Sequence, residues 1–216
     1  MNNNYKIIDI FPTPIFYDSL PIEFSELESF FDSQELYTSK NITNPITFGE
    51  RSKNSYILNL PELSKLSEYI LSLAITYGNE ILNYNYDKYK FSQSWLSLKY
   101  PNQHHREHNH PNSLISGVLY YGDFLKDTPL INFHKMEMGI NSFILSPKQK
   151  QLGDNPKYSS NQYTLSIQPG NLILFPSYLV HSVPENNTDQ VRKSLAFNIV
   201  PEGGFGEESH LTELKL

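Results

Sequence analysis

Apolar residues recur along the chain with two different periods. Between Pro21 and Leu36, Ile22, Phe24, Leu27, Phe30 and Phe31 fall at helical spacing with acidic residues between them, which predicts an amphipathic helix. A second helix is predicted between Asn59 and Ile81. There Leu63, Leu66, Ile70, Leu73, Ala74, Tyr77 and Ile81 form one stripe, Pro61 sits in the first turn, and Asn59 is placed to cap the start. Such a stripe buries one helix face against a neighbouring layer and carries no chemistry of its own. Ile7 to Phe16 reads as a short strand interrupted by Pro12 and Pro14, which suits a sheet edge. Asn41 to Ser55, with Asn44-Pro45 and Gly49, reads as a loop.

From Phe91 onward the period shortens to that of strands. Trp95 to Tyr100 places Leu96, Leu98 and Tyr100 on one face and Trp95, Ser97 and Lys99 on the other. Further strands are predicted at Leu114–Tyr121, Leu130–Phe133, Ser142–Leu145, Tyr163–Ile167, Asn171–Phe175 and Lys193–Val200, punctuated by Gly, Pro and Asn. Helices first and strands afterwards predict an α+β fold: an antiparallel, cupin-like jelly roll buttressed by N-terminal helices. The chain divides into helical support and an edge strand over 1–90, the strand core over 91–200, and a Gly- and Glu-rich surface tail over 201–216. Lys135 to Gln162 is long enough to serve as a lid or to be a simple surface excursion.

Composition narrows the functional classes. The 216 residues contain no Cys, which removes disulfides, thiolate metal sites and a thiol nucleophile together. Aromatic residues make up 13% of the chain, far from the composition of disordered segments. The net charge of −6 argues against a nucleic-acid surface. No apolar run approaches the roughly 20 residues of a membrane span, and Met1 to Lys6 lacks the layout of a secretory leader. A cytoplasmic protein is expected, in the host cytoplasm if the source is a phage.

Four of the seven His lie between positions 104 and 110, in His104-His105-Arg106-Glu107-His108-Asn109-His110. In an extended backbone His108 and His110 project to the same side, half of a site for a divalent metal such as Fe, Zn, Cu or Ni. His105 and Glu107 share the opposite side and form a competing His-x-Glu pair. A distant His181 follows the apolar run Asn171 to Phe175 and supplies a third ligand if the fold brings it close. On the last predicted strand Arg192, Ser194, Ala196 and Asn198 share one face, a guanidinium, a hydroxyl and an amide around a small residue. That face suits bidentate gripping of a carboxylate.

These pieces resemble the 2-oxoglutarate- and Fe(II)-dependent oxygenases, closest to the prolyl-hydroxylase-like branch and to bacterial and phage members. The resemblance rests on Phe11-Pro12-Thr13-Pro14, Trp95, His108-Asn109-His110-Pro111 with Leu114 to Tyr120, Pro169 to Ser177, His181-Ser182-Val183 and Arg192-Lys193-Ser194, in family order. It implies a double-stranded β-helix and places the iron ligands on His108 and His181. It puts the far carboxylate of 2-oxoglutarate on Arg192 with Ser194 beside it and Tyr120 in reach, while Asn198 on the same face contributes to the pocket. The family's Asp or Glu two residues after the first His is replaced by His110. Either His110 is the third ligand or a carboxylate such as Glu107 takes that place. The implied reaction hydroxylates a C–H bond of a small molecule or peptide with O2, converting 2-oxoglutarate to succinate and CO2. Alternatives are a non-catalytic cupin-like binder of metal or carboxylate, a three-His iron dioxygenase that uses no 2-oxoglutarate, and a jelly-roll interaction module.

Overall fold

Two antiparallel sheets lie face to face, and a helix covers the outer side of the larger one. The computed structural model describes residues 6, 8–20, 24–37, 49–123, 129–135 and 160–215. In chain order the elements are β1 (Phe16–Ser19), α1 (Phe24–Asp32), β2 (Leu36–Tyr37), β3 (Glu50–Ser52), α2 (Ser64–Ile75), β4 (Tyr89–Lys99), β5 (His105–His108), β6 (Ile115–Tyr121), β7 (Pro129–His134), β8 (Gln162–Ser166), β9 (Asn171–Pro176), β10 (His181–Val183) and β11 (Arg192–Pro201). The seven-stranded sheet has the order β1-β9-β6-β11-β4-β3-β2, and the four-stranded sheet β5-β10-β7-β8.

The strand β9 shows how the layers are built. Its sequence Leu172-Ile173-Leu174-Phe175 is apolar throughout because both of its faces are covered. Leu172 and Leu174 join the core beneath α2, with Leu66, Ile70, Ala74 and Tyr77 from the helical region. Ile173 and Phe175 join a second core between the sheets, with Tyr120, Ile131, Phe133 and Leu179. Gly117 on β6 is glycine for a steric reason: a Cβ there would lie 2.4 Å from the Phe197 ring of β11.

The structure bears out the α+β jelly roll and alters several details. The predicted long helix is composite, a 3-10 turn at Pro61–Leu63, then α2, then a π-helical turn at Thr76–Ile81. The π turn adds a residue per turn and rotates Ile81 off the stripe, leaving it 46% exposed. Asn59 does not cap the helix. It ends a separate 3-10 turn, Ile57–Asn59, and Leu60 occupies the N-cap position without a side-chain bond. The edge strand starts at Phe16, after Pro12 and Pro14, rather than running from Ile7. β3 lies within the expected loop Asn41–Ser55. The first helix ends at Asp32, and Leu36 belongs to β2. The strand expected at Ser142–Leu145 and most of the expected lid Lys135–Gln162 lie outside the described residues. Among the described residues no helix is long and apolar enough to cross a membrane.

Candidate metal centre

β5 and β10 are neighbours in the small sheet, with His108 directly opposite His181. Their ring centroids are 4.2 Å apart. His110 follows β5 on a loop whose backbone N–H is held by the Ser177 carbonyl at 3.0 Å. Its ring lies 5.1 Å from those of His108 and His181. One nitrogen from each of the three rings lies within 4.8 Å of the others. The fold therefore joins residues more than seventy positions apart into one cluster, lining a cavity of about 540 Å³ between the sheets.

The ring orientations suit metal binding. The Nδ1–H of His108 donates to the Arg106 carbonyl and that of His181 to the Leu179 carbonyl, both at 2.9 Å. Each bond commits Nδ1 as the protonated nitrogen and leaves the Nε2 lone pair for a metal. His110 Nδ1 lies 3.5 Å from the Asn198 amide. The other end of that amide meets the Ser116 hydroxyl at 2.9 Å, and Ser116 continues to Ser177 and Ser113. A half-turn of the amide keeps both contacts and lets its oxygen accept from Nδ1–H, fixing the same tautomer in His110. Asn198 does not line the cavity; it stands behind His110. Replacing Asn198 by Ala should lower affinity for a divalent ion about tenfold, the low end of what an orienting partner contributes. Calorimetric titration of the anaerobic protein with Fe(II) checks this, and unchanged affinity would deny the amide that role.

Burial pushes His181 down to about 3 and His110 down to about 4, in both cases with help from His108. Burial also lowers His108, opposed by its bond to the Arg106 carbonyl. All three are neutral at pH 7, the form that coordinates metal. In the metal-free protein these rings take up fewer protons than the unfolded chain does below the ordinary value of 6.5. Their contribution to stability is therefore complete above about pH 6.5 and is lost as pH falls toward 4 and then 3. The apoprotein should melt at progressively lower temperature from pH 7 to pH 4, measured calorimetrically, and a flat profile would contradict neutral burial.

His105 and Glu107 do not act as a pair. A bulge between β5 and β10, where His181 opposes His108 and Val183 opposes His105, breaks simple alternation. His105 consequently faces the cavity, 4.1 Å from the His108 ring. Glu107 points outward and lies 3.5 Å from His134, which in turn meets the Ser182 hydroxyl at 2.8 Å. It contributes no atom to the cluster.

The seven-stranded sheet forms the opposite wall. Arg192, Ser194 and Tyr120 line the cavity there, with Arg192 5% and Tyr120 3% exposed. Burial raises the Tyr120 hydroxyl against the opposing pull of Arg192, so it stays a neutral donor. Lys99, directly opposite Arg192 on β4, also lines the cavity and is only 4% exposed. The alternation of β4 places Lys99 on the same face as Trp95 and Ser97, at the end of the strand. The donor set fits the expected groups. Three neutral imidazoles suit Fe(II), and a buried guanidinium with a phenol suits a dicarboxylate.

Residues 93–198 match the profile of a family described as "Putative 2OG-Fe(II) oxygenase". No curated sequence matches the chain. Among solved structures, the chain is similar to a Pseudomonas putida prolyl-4-hydroxylase, at 14% identity and TM-score 0.56 over 86% of this chain and 92% of that one. It is also similar to SnoN, a non-heme α-ketoglutarate-dependent epimerase from nogalamycin biosynthesis, at 11% identity and TM-score 0.61 over 88% and 80%. HygX from Streptomyces hygroscopicus, solved with nickel and 2-oxoglutarate bound, matches at 10% identity and TM-score 0.57 over 88% and 83%. These likenesses show the double-stranded β-helix. The profile match runs from β4 to the Asn198 behind His110 and contains the three histidines together with Lys99, Tyr120, Arg192 and Ser194. Residues 93–198 thus match the 2OG-Fe(II) oxygenase family model, and the chain has the double-stranded β-helix fold of the solved oxygenases to which it is similar.

Proposed function

We propose that His108, His110 and His181 hold Fe(II), that Arg192 takes the far carboxylate of 2-oxoglutarate with Tyr120 and Ser194, and that the protein hydroxylates a C–H bond of a small molecule or peptide. The observation that carries this reading is the convergence of three neutral imidazoles on one cavity whose opposite wall holds a buried guanidinium. Iron bound there with 2-oxoglutarate would supply the oxidising chemistry, consuming O2 and releasing succinate and CO2.

The chain's own residues position and shield. The carbonyls of Arg106 and Leu179 fix the His108 and His181 rings, so the Nε2 lone pairs need no reorganisation to bind metal. Arg192 and Tyr120 supply charge-assisted bonds in a wall from which water is largely excluded. Phe133, Phe175 and Trp95 flank the histidine rings and keep the metal side of the cavity dry. His110 stands where the family has a carboxylate, so the protein ligands carry no charge and the dianionic cosubstrate alone balances the metal. Iron affinity should then depend strongly on 2-oxoglutarate. A cosubstrate-free dioxygenase would give no reason to bury a guanidinium in the cavity wall.

Anaerobic addition of Fe(II) and 2-oxoglutarate should give the weak visible charge-transfer band of a chelated 2-oxo acid. Iron bound without that band would reject the cosubstrate assignment. A His110→Asp variant should keep the band and bind iron more tightly when 2-oxoglutarate is absent.

A further inference from the structure

Among the described residues the cavity wall carries three basic side chains, Arg51, Lys99 and Arg192, and no carboxylate; burial and the neighbouring Arg192 bring Lys99 down to about 7, so it holds only part of its charge at pH 7. In the proposed reading Fe(II) and the dianionic cosubstrate cancel one another. The Arg51 guanidinium then lines the space left for the molecule to be oxidised.

The placement of the basic side chains separates two anion positions. Across the large sheet, directly opposed residues form one line: Tyr120, Ser194, Ser97, Arg51 and Tyr37. Arg192 faces Lys99 in the adjacent line. Strands stand roughly 4.8 Å apart, so Arg51 on β3 lies two strands, about 10 Å, from Arg192 on β11. The two guanidiniums thus start from different strands and different lines of the wall. Arg192 sits at the inner position assigned to the cosubstrate, and Arg51 sits toward the sheet edge with its guanidinium 5.2 Å from the Tyr37 ring centroid. Stacking fixes the plane of an arginine without using its in-plane N–H donors, which are the ones that grip a carboxylate or phosphate. Lys99 lies between the two arginines. The cavity, at about 540 Å³, is in the range of small-molecule sites, with room for a second compact ligand beside the cosubstrate.

We propose that Arg51, stacked on Tyr37 with Lys99 beside it, is a subsite that recognises the substrate by a carboxylate or phosphate group, so that the molecule oxidised is a small organic anion. This rests on the metal and cosubstrate assignment above, and the experiment keeps the two separable. Anaerobic protein loaded with Fe(II) and 2-oxoglutarate is titrated with matched probes: aliphatic carboxylates and their primary amides, and phosphate monoesters and their parent alcohols. Binding is read as heat and as a shift of the charge-transfer band. Anions should bind and shift the band while their neutral partners do not, and the carboxylate and phosphate arms distinguish the two headgroups. Arg51→Gln should weaken the responding anion about tenfold or more and leave 2-oxoglutarate affinity within about twofold, with Arg51→Lys recovering part of the loss. Arg51 is exposed, so melting curves should show both variants folded. Neutral probes binding as tightly as anions, no anion shifting the band, or Arg51→Gln leaving anion affinity unchanged would each overturn the proposal. A wild-type protein that binds iron but shows no band before any probe is added would instead remove the underlying assignment, and this inference with it.

Discussion

Replacing His181 by Ala should abolish Fe(II) binding at micromolar metal and, with it, the charge-transfer band and all consumption of 2-oxoglutarate. His181 is 4% exposed, packs 4.8 Å from the Phe175 ring, and is the member of the histidine cluster furthest along the chain from the other two. Removing a partner that merely orients a ligand costs about 10–100-fold in metal affinity, so loss of the ligand itself should exceed about 100-fold. The Ala variant also leaves a cavity beside Phe133 and Phe175, so its fold should be verified by circular dichroism before metal content is measured. A folded variant that still binds one equivalent of iron tightly would exclude His181 from the metal site.

Replacing Arg192 by Met should spare iron and weaken 2-oxoglutarate roughly 100-fold, within the range of about 2–5 kcal/mol for truncating one partner of a buried, hydrogen-bonded charge pair. Met keeps the length and apolar volume of the stem, so the wall stays packed while the charge is lost. The two variants thus fail differently: His181→Ala loses metal and cosubstrate together, whereas Arg192→Met loses the cosubstrate alone. Direct titration of each, first with Fe(II) and then with 2-oxoglutarate, separates them. Iron affinity falling in Arg192→Met when no 2-oxoglutarate is present would show that the two walls are not independent.

Local pattern was informative where a residue's surroundings are set by its own strand or helix. The α2 stripe and the alternation of β11, with Leu195, Phe197 and Ile199 in the core beneath the helix and Arg192 and Ser194 in the cavity, follow from period alone. Features that depend on a distant partner were not legible. The bulge that turns His105 toward the cavity arises from pairing β5 with β10, whose sequence lies more than seventy residues away. β3 is three residues long and exists as a strand only because β4 and β2 pair with it, so its sequence reads as loop and Arg51 passed unnoticed. Asn198 was expected in the pocket, and only the register Asn198↔Ser116 explains why its amide turns behind His110 instead. The π turn at Thr76–Ile81 has no compositional signature and shifted one apolar residue into solvent.

The histidines stand on the four-stranded sheet and its adjoining loop, and Arg192 and Tyr120 stand on the seven-stranded sheet. On the proposed assignment a single cosubstrate touches both sheets, so the gap between them works as a calliper for chain length. Packed sheets stand about 10 Å apart and cannot close by an ångström without crushing the side chains between them. Selection for a five-carbon diacid over shorter or longer ones then resides in the apolar spacer, in Ile131, Phe133, Ile173 and Phe175, none of which has a polar atom to offer.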